Sequence, residues 1–227
     1  MNTECTELVF ILDRSGSMGG LEQDTISGFN GMIDRQKEEG KKQGSRKVNV
    51  TTLLFDDEVE IIHDRFPIEM IQPLTEKDYF VRGCTALLDA VGIGIEKIAN
   101  VQKHLSEAHR AGKVLFVITT DGLENSSEKY SYEQIRRMIR AKKEYGWEFL
   151  FLGANIDAGR EAEKMGIDRK RSVTYENDPK GIALNFKAVG KAVSKAVWAE
   201  NMGAAFDDNW SEEITEHKRN CQRRKRG

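Results

Sequence analysis

The sequence predicts an α/β fold: a doubly wound, Rossmann-like, mostly parallel six-stranded sheet with one antiparallel edge strand and helices on both faces. Three observations lead there. Short apolar, partly β-branched runs alternate along the chain with segments whose apolar residues recur at helical spacing. The runs at 8–12 and 113–120 are apolar or β-branched almost throughout, as in strands covered on both faces. Residues 47–55 and 59–66 are separated only by Asp56, Asp57 and Glu58, too short a link for a parallel crossover, so they form an antiparallel hairpin.

At 227 residues the chain holds one sizeable α/β core rather than two full domains. Hydrophobic residues are 39% and charged residues 32%, which is enough apolar material for a core and excludes a disordered composition. The net charge of -2 gives no general attraction to nucleic acid or to an acidic membrane. The chain enters its first strand after a few polar residues, with no basic leader and no apolar run near 20 residues, so a cytoplasmic protein without membrane association is expected. Cys5, Cys84 and Cys221 are odd in number and far apart, and they match neither a disulfide framework nor a zinc-ligand spacing.

The elements follow in order. A first strand at 8–12 leads into a helix at 21–39 with Ile26, Phe29 and Ile33 on one face, and the glycine-bearing stretch 40–45 breaks it as a loop. The hairpin comes next, with its second strand at the sheet edge and ended by Pro67. Asp56 and Asp57 in its turn are read as solvated carboxylates. A linking segment at 73–82 precedes a helix that Thr85 opens and that runs to about Leu105. Asp89, one turn in, is read as a stabilising group near the helix N-terminus rather than a direct ligand.

The central strand at 113–120 is followed by Ser131 and Gln134 at capping-box spacing, which start another helix. A buried strand at 147–152, a short helix closed by Gly166, and a last strand at 171–175 come after it. Asp178 and Pro179 then start a long helix carrying Ile182, Phe186, Val189, Val193 and Val197. The core is expected to end near Met202. This divides the chain into a domain at 1–203 and a charged, basic tail at 204–227 that offers little to bury.

Three stretches carry the chemistry. Asp13, Ser15 and Ser17 release a carboxylate and two hydroxyls together at the end of the first strand, a hard-oxygen set suited to a small divalent cation such as Mg²⁺. Thr85 precedes a helix, and Asp121 follows the central strand. If those two strands are neighbours, Asp13 and Asp121 end side by side where the strand order reverses. Together the three stretches resemble the metal-ion-dependent adhesion site of von Willebrand factor A (VWA) domains, over about residues 6–200. The resemblance implies that Ser15, Ser17 and Thr85 supply hydroxyl ligands to Mg²⁺ or Mn²⁺, and that Asp13 and Asp121 bind directly or through water. It further implies that an Asp or Glu of a protein partner completes the octahedron, in a non-catalytic module for assembling an intracellular complex.

Two other classes are weighed against this. A Mg²⁺-dependent phosphoryl-transfer hydrolase also places an aspartate after a first strand. Haloacid-dehalogenase-like enzymes, however, carry a second aspartate where this chain has Ser15, and no phosphate-loop motif is present. His63, His104, His109 and His217 have no nucleophile partner visible in the sequence. Nucleic-acid binding through the basic tail is disfavoured, because the tail's last ten residues hold no aromatic side chain for base stacking.

Overall fold

In the computed structural model, which describes residues 2–44, 46–200, 202–203, 206 and 209–226, six strands form one sheet in the order β3-β2-β1-β4-β5-β6. The strands are β1 (Asn2–Asp13), β2 (Lys47–Phe55), β3 (Val59–Pro67), β4 (Ala111–Thr120), β5 (Glu148–Ala154) and β6 (Ser172–Tyr175). All neighbours are parallel except the β2–β3 hairpin at the edge. The strand order reverses at β1, whose register with β4 pairs Leu12 with Thr119. Asp13 and Asp121 therefore leave adjacent strands at the same edge.

Helices cover both faces because successive strand side chains point to opposite sides. Leu8, Phe10 and Leu12 pack beneath α1 (Glu22–Gln43) and α5 (Pro179–Trp198), against Phe29, Ile33, Phe186 and Val193. Val9 and Ile11 pack beneath α2 (Leu87–His104), α3 (Tyr132–Lys143) and α4 (Ala158–Met165), against Val91, Ile95, Ile139 and Ala162. Ser131 and Gln134 form the capping box that starts α3, and Asp178 caps α5 through the Gly181 N–H. Among the described residues no helix is long and apolar enough to cross a membrane.

Several boundaries differ from the sequence reading. β1 begins at Asn2 because its polar half is also paired: Glu7 is buried and held by Arg65 and Asn49. α1 continues through Gly40 to Gln43, with Lys41 and Lys42 favouring its negative C-terminal end, and it stops at Gly44, where φ is 98°. α2 begins at Leu87, so Thr85 lies in the loop before the helix instead of opening it. Arg171 belongs to a short 3-10 turn ahead of β6.

The C-terminal stretch differs most. Residues Glu212–Arg226 form a helix, α6, and the expectation that this stretch offers little to bury is corrected by Ile214 and Phe206, which join the core beside α5. Arg171 stacks on the Phe206 ring at 4.7 Å and donates to the Gly203 carbonyl at 2.9 Å. Glu213 pairs with Lys187 and Lys191 on α5, at 2.6 and 2.5 Å. One aliphatic anchor in a mostly charged helix and one aromatic residue ahead of it leave no sustained period in the sequence, yet both are buried.

Ile214→Ala is therefore expected to destabilise the protein by about 2–3 kcal/mol, as for a buried aliphatic side chain, although it lies in the basic tail. Chemical denaturation of the full chain measures this, and a loss below about 0.5 kcal/mol would show that α6 is not docked in solution.

Candidate metal centre

Asp13 is the last residue of β1, and its carboxylate is locked from two sides. Oδ1 accepts the Ser15 N–H at 2.7 Å, and Oδ2 accepts the Thr120 hydroxyl at 2.6 Å. Tyr79 donates its hydroxyl to the Asp13 carbonyl at 2.5 Å. The chain then turns through Gly16–Met18, which brings the Ser15 and Ser17 hydroxyls to 3.2 Å from each other. Ser17 in turn donates to Asp121, and Asn177 donates to the other Asp121 oxygen at 3.2 Å.

Thr85 approaches on its own loop, fastened by its N–H to Asn125 Oδ1 at 2.8 Å. A Cβ placed on Gly122 would lie 3.4 Å from the Thr85 hydroxyl and 3.6 Å from that of Ser17, so both hydroxyls flank the residue after Asp121. The structure thus gathers all five residues singled out in the sequence, Asp13, Ser15, Ser17, Thr85 and Asp121, at one end of the sheet. Asp89 accepts the N–H groups of Glu128, Lys129 and Tyr130, and so holds the loop behind Asp121, as its reading as a stabilising group requires.

Burial raises the Asp13 carboxyl above its ordinary value, against hydrogen bonds from Ser15 and Thr120, and the Asp121 charge adds to the rise. Burial raises Asp121 in the same way, against Ser17 and Asn177. Neither carboxylate is ion-paired among the described residues. Two buried acids without a counter-charge, together with three hydroxyls and no nitrogen or sulfur donor, fit a hard divalent cation.

The loops that carry these residues are joined by a network the sequence reading missed. Arg14, between Asp13 and Ser15, is fully buried and donates to Asp56 and Glu60, each at 2.7 Å. Arg82 reaches the same Asp56 oxygen at 2.7 Å. Asp56 is thus a buried ion-pair partner, which corrects its reading as a solvated turn carboxylate. Its burial is compensated by two guanidinium groups and by the Glu58 N–H at 2.8 Å. The backbone adds Arg14 N–H to the Phe55 carbonyl at 2.8 Å, Arg82 N–H to the Arg14 carbonyl at 3.0 Å and Ala86 N–H to the Asp56 carbonyl at 2.7 Å. Gly83 between them has a φ of 64°, a left-handed conformation that favours glycine. The available sequence signal was an arginine inside a ligand motif at a buried strand end, which needs a buried acid opposite.

No family model matches the sequence. No curated protein matches it either. Solved structures do. The vWF domain of the type V pilus tip protein Mfa5 from Porphyromonas gingivalis aligns with a TM-score of 0.61 at 11% identity, over 88% of this chain and 98% of that one. The pilus adhesin SpaC from Lactobacillus rhamnosus GG aligns at 12% identity over 86% of this chain, with a TM-score of 0.64 over 31% of that chain in one form and of 0.63 over 30% in its open conformation. Proximal thread matrix protein 1 from the mussel byssus, in a structure with a zinc-occupied MIDAS motif, aligns with a TM-score of 0.55 at 14% identity, over 83% of this chain and 46% of that one. The chain spans about half the mussel protein's length and under a third of the adhesin's. At these identities the likeness shows the fold alone: a mostly parallel α/β sheet flanked by helices, shared with the vWF domain of Mfa5.

Arg14→Ala is expected to cost about 3–5 kcal/mol, the range for a buried pair stripped of one partner. The pH dependence has a definite sign. Burial alone would raise Asp56, but the hydrogen bonds from Arg82, the Glu58 N–H and Arg14 outweigh it and hold the carboxyl below its ordinary 3.8. The stability this contributes is present above pH 3.8 and is lost as pH falls through the folded value, so the difference between wild type and Asp56→Asn should close only below that point. Denaturation curves at several acidic pH values measure it. A difference that is flat through this range would refute the assignment.

Proposed function

We propose that this chain is a non-catalytic, metal-dependent protein-binding module. In it Asp13, Ser15, Ser17, Thr85 and Asp121 hold Mg²⁺ or Mn²⁺ and present it to an Asp or Glu of a protein partner in an assembled intracellular complex. The observation that carries the reading is the convergence of two buried, unpaired carboxylates with three hydroxyls at the reversal of strand order. When bound, a divalent cation there supplies an electrophilic position that only two protein charges offset, which favours an anionic oxygen from outside.

The residues around the site support binding rather than turnover. Each Asp13 oxygen accepts a hydrogen bond, as does each Asp121 oxygen, which orients both carboxylates and lowers their nucleophilicity while leaving lone pairs for a cation. Phe80 and Leu123 are exposed on the segments that carry Thr85 and Asp121, and they offer apolar contact beside the acidic anchor. Three free thiols support a reducing compartment.

The pilus and byssal proteins that share the fold support a binding role by analogy. Ca²⁺ is the poorer fit, since it favours 6–8 oxygens in a looser cage, whereas the smaller ions suit hydroxyls, water and one incoming acid.

Mg²⁺ or Mn²⁺ is expected to raise the melting temperature of the wild type and to leave Asp13→Ala unchanged, with Thr85→Ala binding the ion more weakly. Partner capture should occur with wild type in Mg²⁺, and should fail both in chelator and with Asp13→Ala. Equal capture in all three would reject the proposal, and phosphoester turnover that disappears in Asp13→Asn would favour the hydrolase instead.

A further inference from the structure

Consecutive residues of the β6–α5 connection turn to different partners: Asn177 donates to Asp121, while Asp178 meets His217 and Cys221 of α6. His217 and Cys221 are four apart, so they lie one above the other on a single helix face. Their donor atoms and an Asp178 oxygen all lie within 4.8 Å of one another. His217 Nε2 is 3.1 and 3.2 Å from the two Asp178 oxygens, and Cys221 Sγ is 3.9 Å from Oδ2 and 3.7 Å from Nε2.

These spacings suit a shared ion better than a chain of hydrogen bonds. One imidazole nitrogen is divided almost equally between two oxygens, and both sulfur contacts are near the outer limit for a thiol. Around a tetrahedral Zn²⁺, with bonds of about 2.0–2.3 Å, ligand atoms stand about 3.3–3.6 Å apart. The three atoms are within a few tenths of an ångström of that triangle. We propose that Asp178, His217 and Cys221 form a zinc site that clamps α6 to the β6–α5 connection, with the fourth position left to water.

The chemistry separates this site from the first. Sulfur, nitrogen and oxygen donors select Zn²⁺ over Mg²⁺, whereas the all-oxygen set around Asp13 does not. A Cys221 thiolate and the Asp178 carboxylate together balance the ion's charge, and the thiol proton is released on binding. The third ligand is preset, since Asp178 Oδ1 also accepts the Gly181 N–H at 2.6 Å as the cap of α5. One helical turn beyond Cys221, Lys225 pairs with Glu176 at 2.5 Å and holds the two segments together. His217, read from the sequence as having no nucleophile partner, and Cys221, read as matching no zinc spacing, meet here because the third ligand is 39 residues upstream of His217.

The test uses the full chain, stripped of metal under reducing conditions, with Zn²⁺ and Co²⁺ as probes. Wild type and Asp13→Ala should each bind one tight Zn²⁺, and Co²⁺ should give both a near-ultraviolet thiolate-to-metal absorption. Cys221→Ser and His217→Ala should bind Zn²⁺ at least about tenfold more weakly. Cys221→Ser should also lose the absorption although Cys5 and Cys84 remain. Cys221→His, which replaces the thiolate with a nitrogen ligand that zinc also accepts, should recover Zn²⁺ binding without the thiolate band, and this separates ligation from misfolding. Unchanged affinity and absorption in Cys221→Ser, or tight Zn²⁺ lost in Asp13→Ala but kept in Cys221→Ser, would overturn the assignment.

Discussion

A guanidinium placed where charge is expensive organises the functional edge of this protein. Taking Arg14 and Asp56 out of water costs several kcal/mol per ion, and their attraction offsets that only with good geometry and further hydrogen bonds. Asp56 is well served, with two guanidinium donors and a backbone N–H. Arg14 is served less well, because its Nη2 has no partner among the described residues. An arrangement of this kind contributes position more than stability. Arg14, the hairpin turn and the segment ahead of α2 must meet at one point, and that meeting decides where Asp13, Ser15 and Thr85 stand.

The position of Arg14 in the motif matters as well. Alternation along an extended chain sends Asp13 and Ser15 to one side and Arg14 to the other. The positive charge therefore neutralises Asp56 and not the two aspartates of the site. Had it faced inward, it would have satisfied Asp13 and Asp121 internally and removed the deficit of positive charge that suits the site to a cation. Glu60, about half exposed, shares the guanidinium from the solvent side and leaves the buried Asp56 contact undisturbed.

Much of this was legible in the sequence. The apolar runs and the short hairpin turn were enough to specify the sheet, whereas the neighbouring of β1 and β4 stood only as a condition, and the set Asp13, Ser15, Ser17, Thr85 and Asp121 came from the resemblance of three motifs to a VWA adhesion site. What escaped was carried by single residues with distant partners. Asp56 looked like any turn carboxylate until Arg14 and Arg82 were seen on it. Glu7 hid the polar half of β1, because its pairing with Arg65 across two strands leaves no local pattern. Ile214 was one aliphatic residue in a helix otherwise rich in charge, and hydrophobic periodicity registers only repeated anchors.

The β6–α5 connection shows how these long-range partners combine. Glu176 is tied to Lys225 of α6, Asn177 to Asp121 of the carboxylate site, and Asp178 to the first turn of α5 and to His217 of α6. Asn177 is the middle one, and its buried Oδ1 finds no partner among the described residues, so its only described side-chain bond is the one to Asp121. The tethers on either side fix its backbone, and the backbone sets where the amide points. Docking of α6 therefore bears on the Asp121 carboxylate through one residue, without any contact between helix and carboxylate. That is a contact chain and not yet a switch, because coupling in the thermodynamic sense requires an element with two arrangements that both sites bias. The described contacts fasten α6 in one arrangement, and their physical consequence is preorganisation. An Asp121 oxygen held in place before a cation arrived would lose less freedom on binding, and in that way α6 would contribute to affinity at a site it never touches, if the proposed site holds.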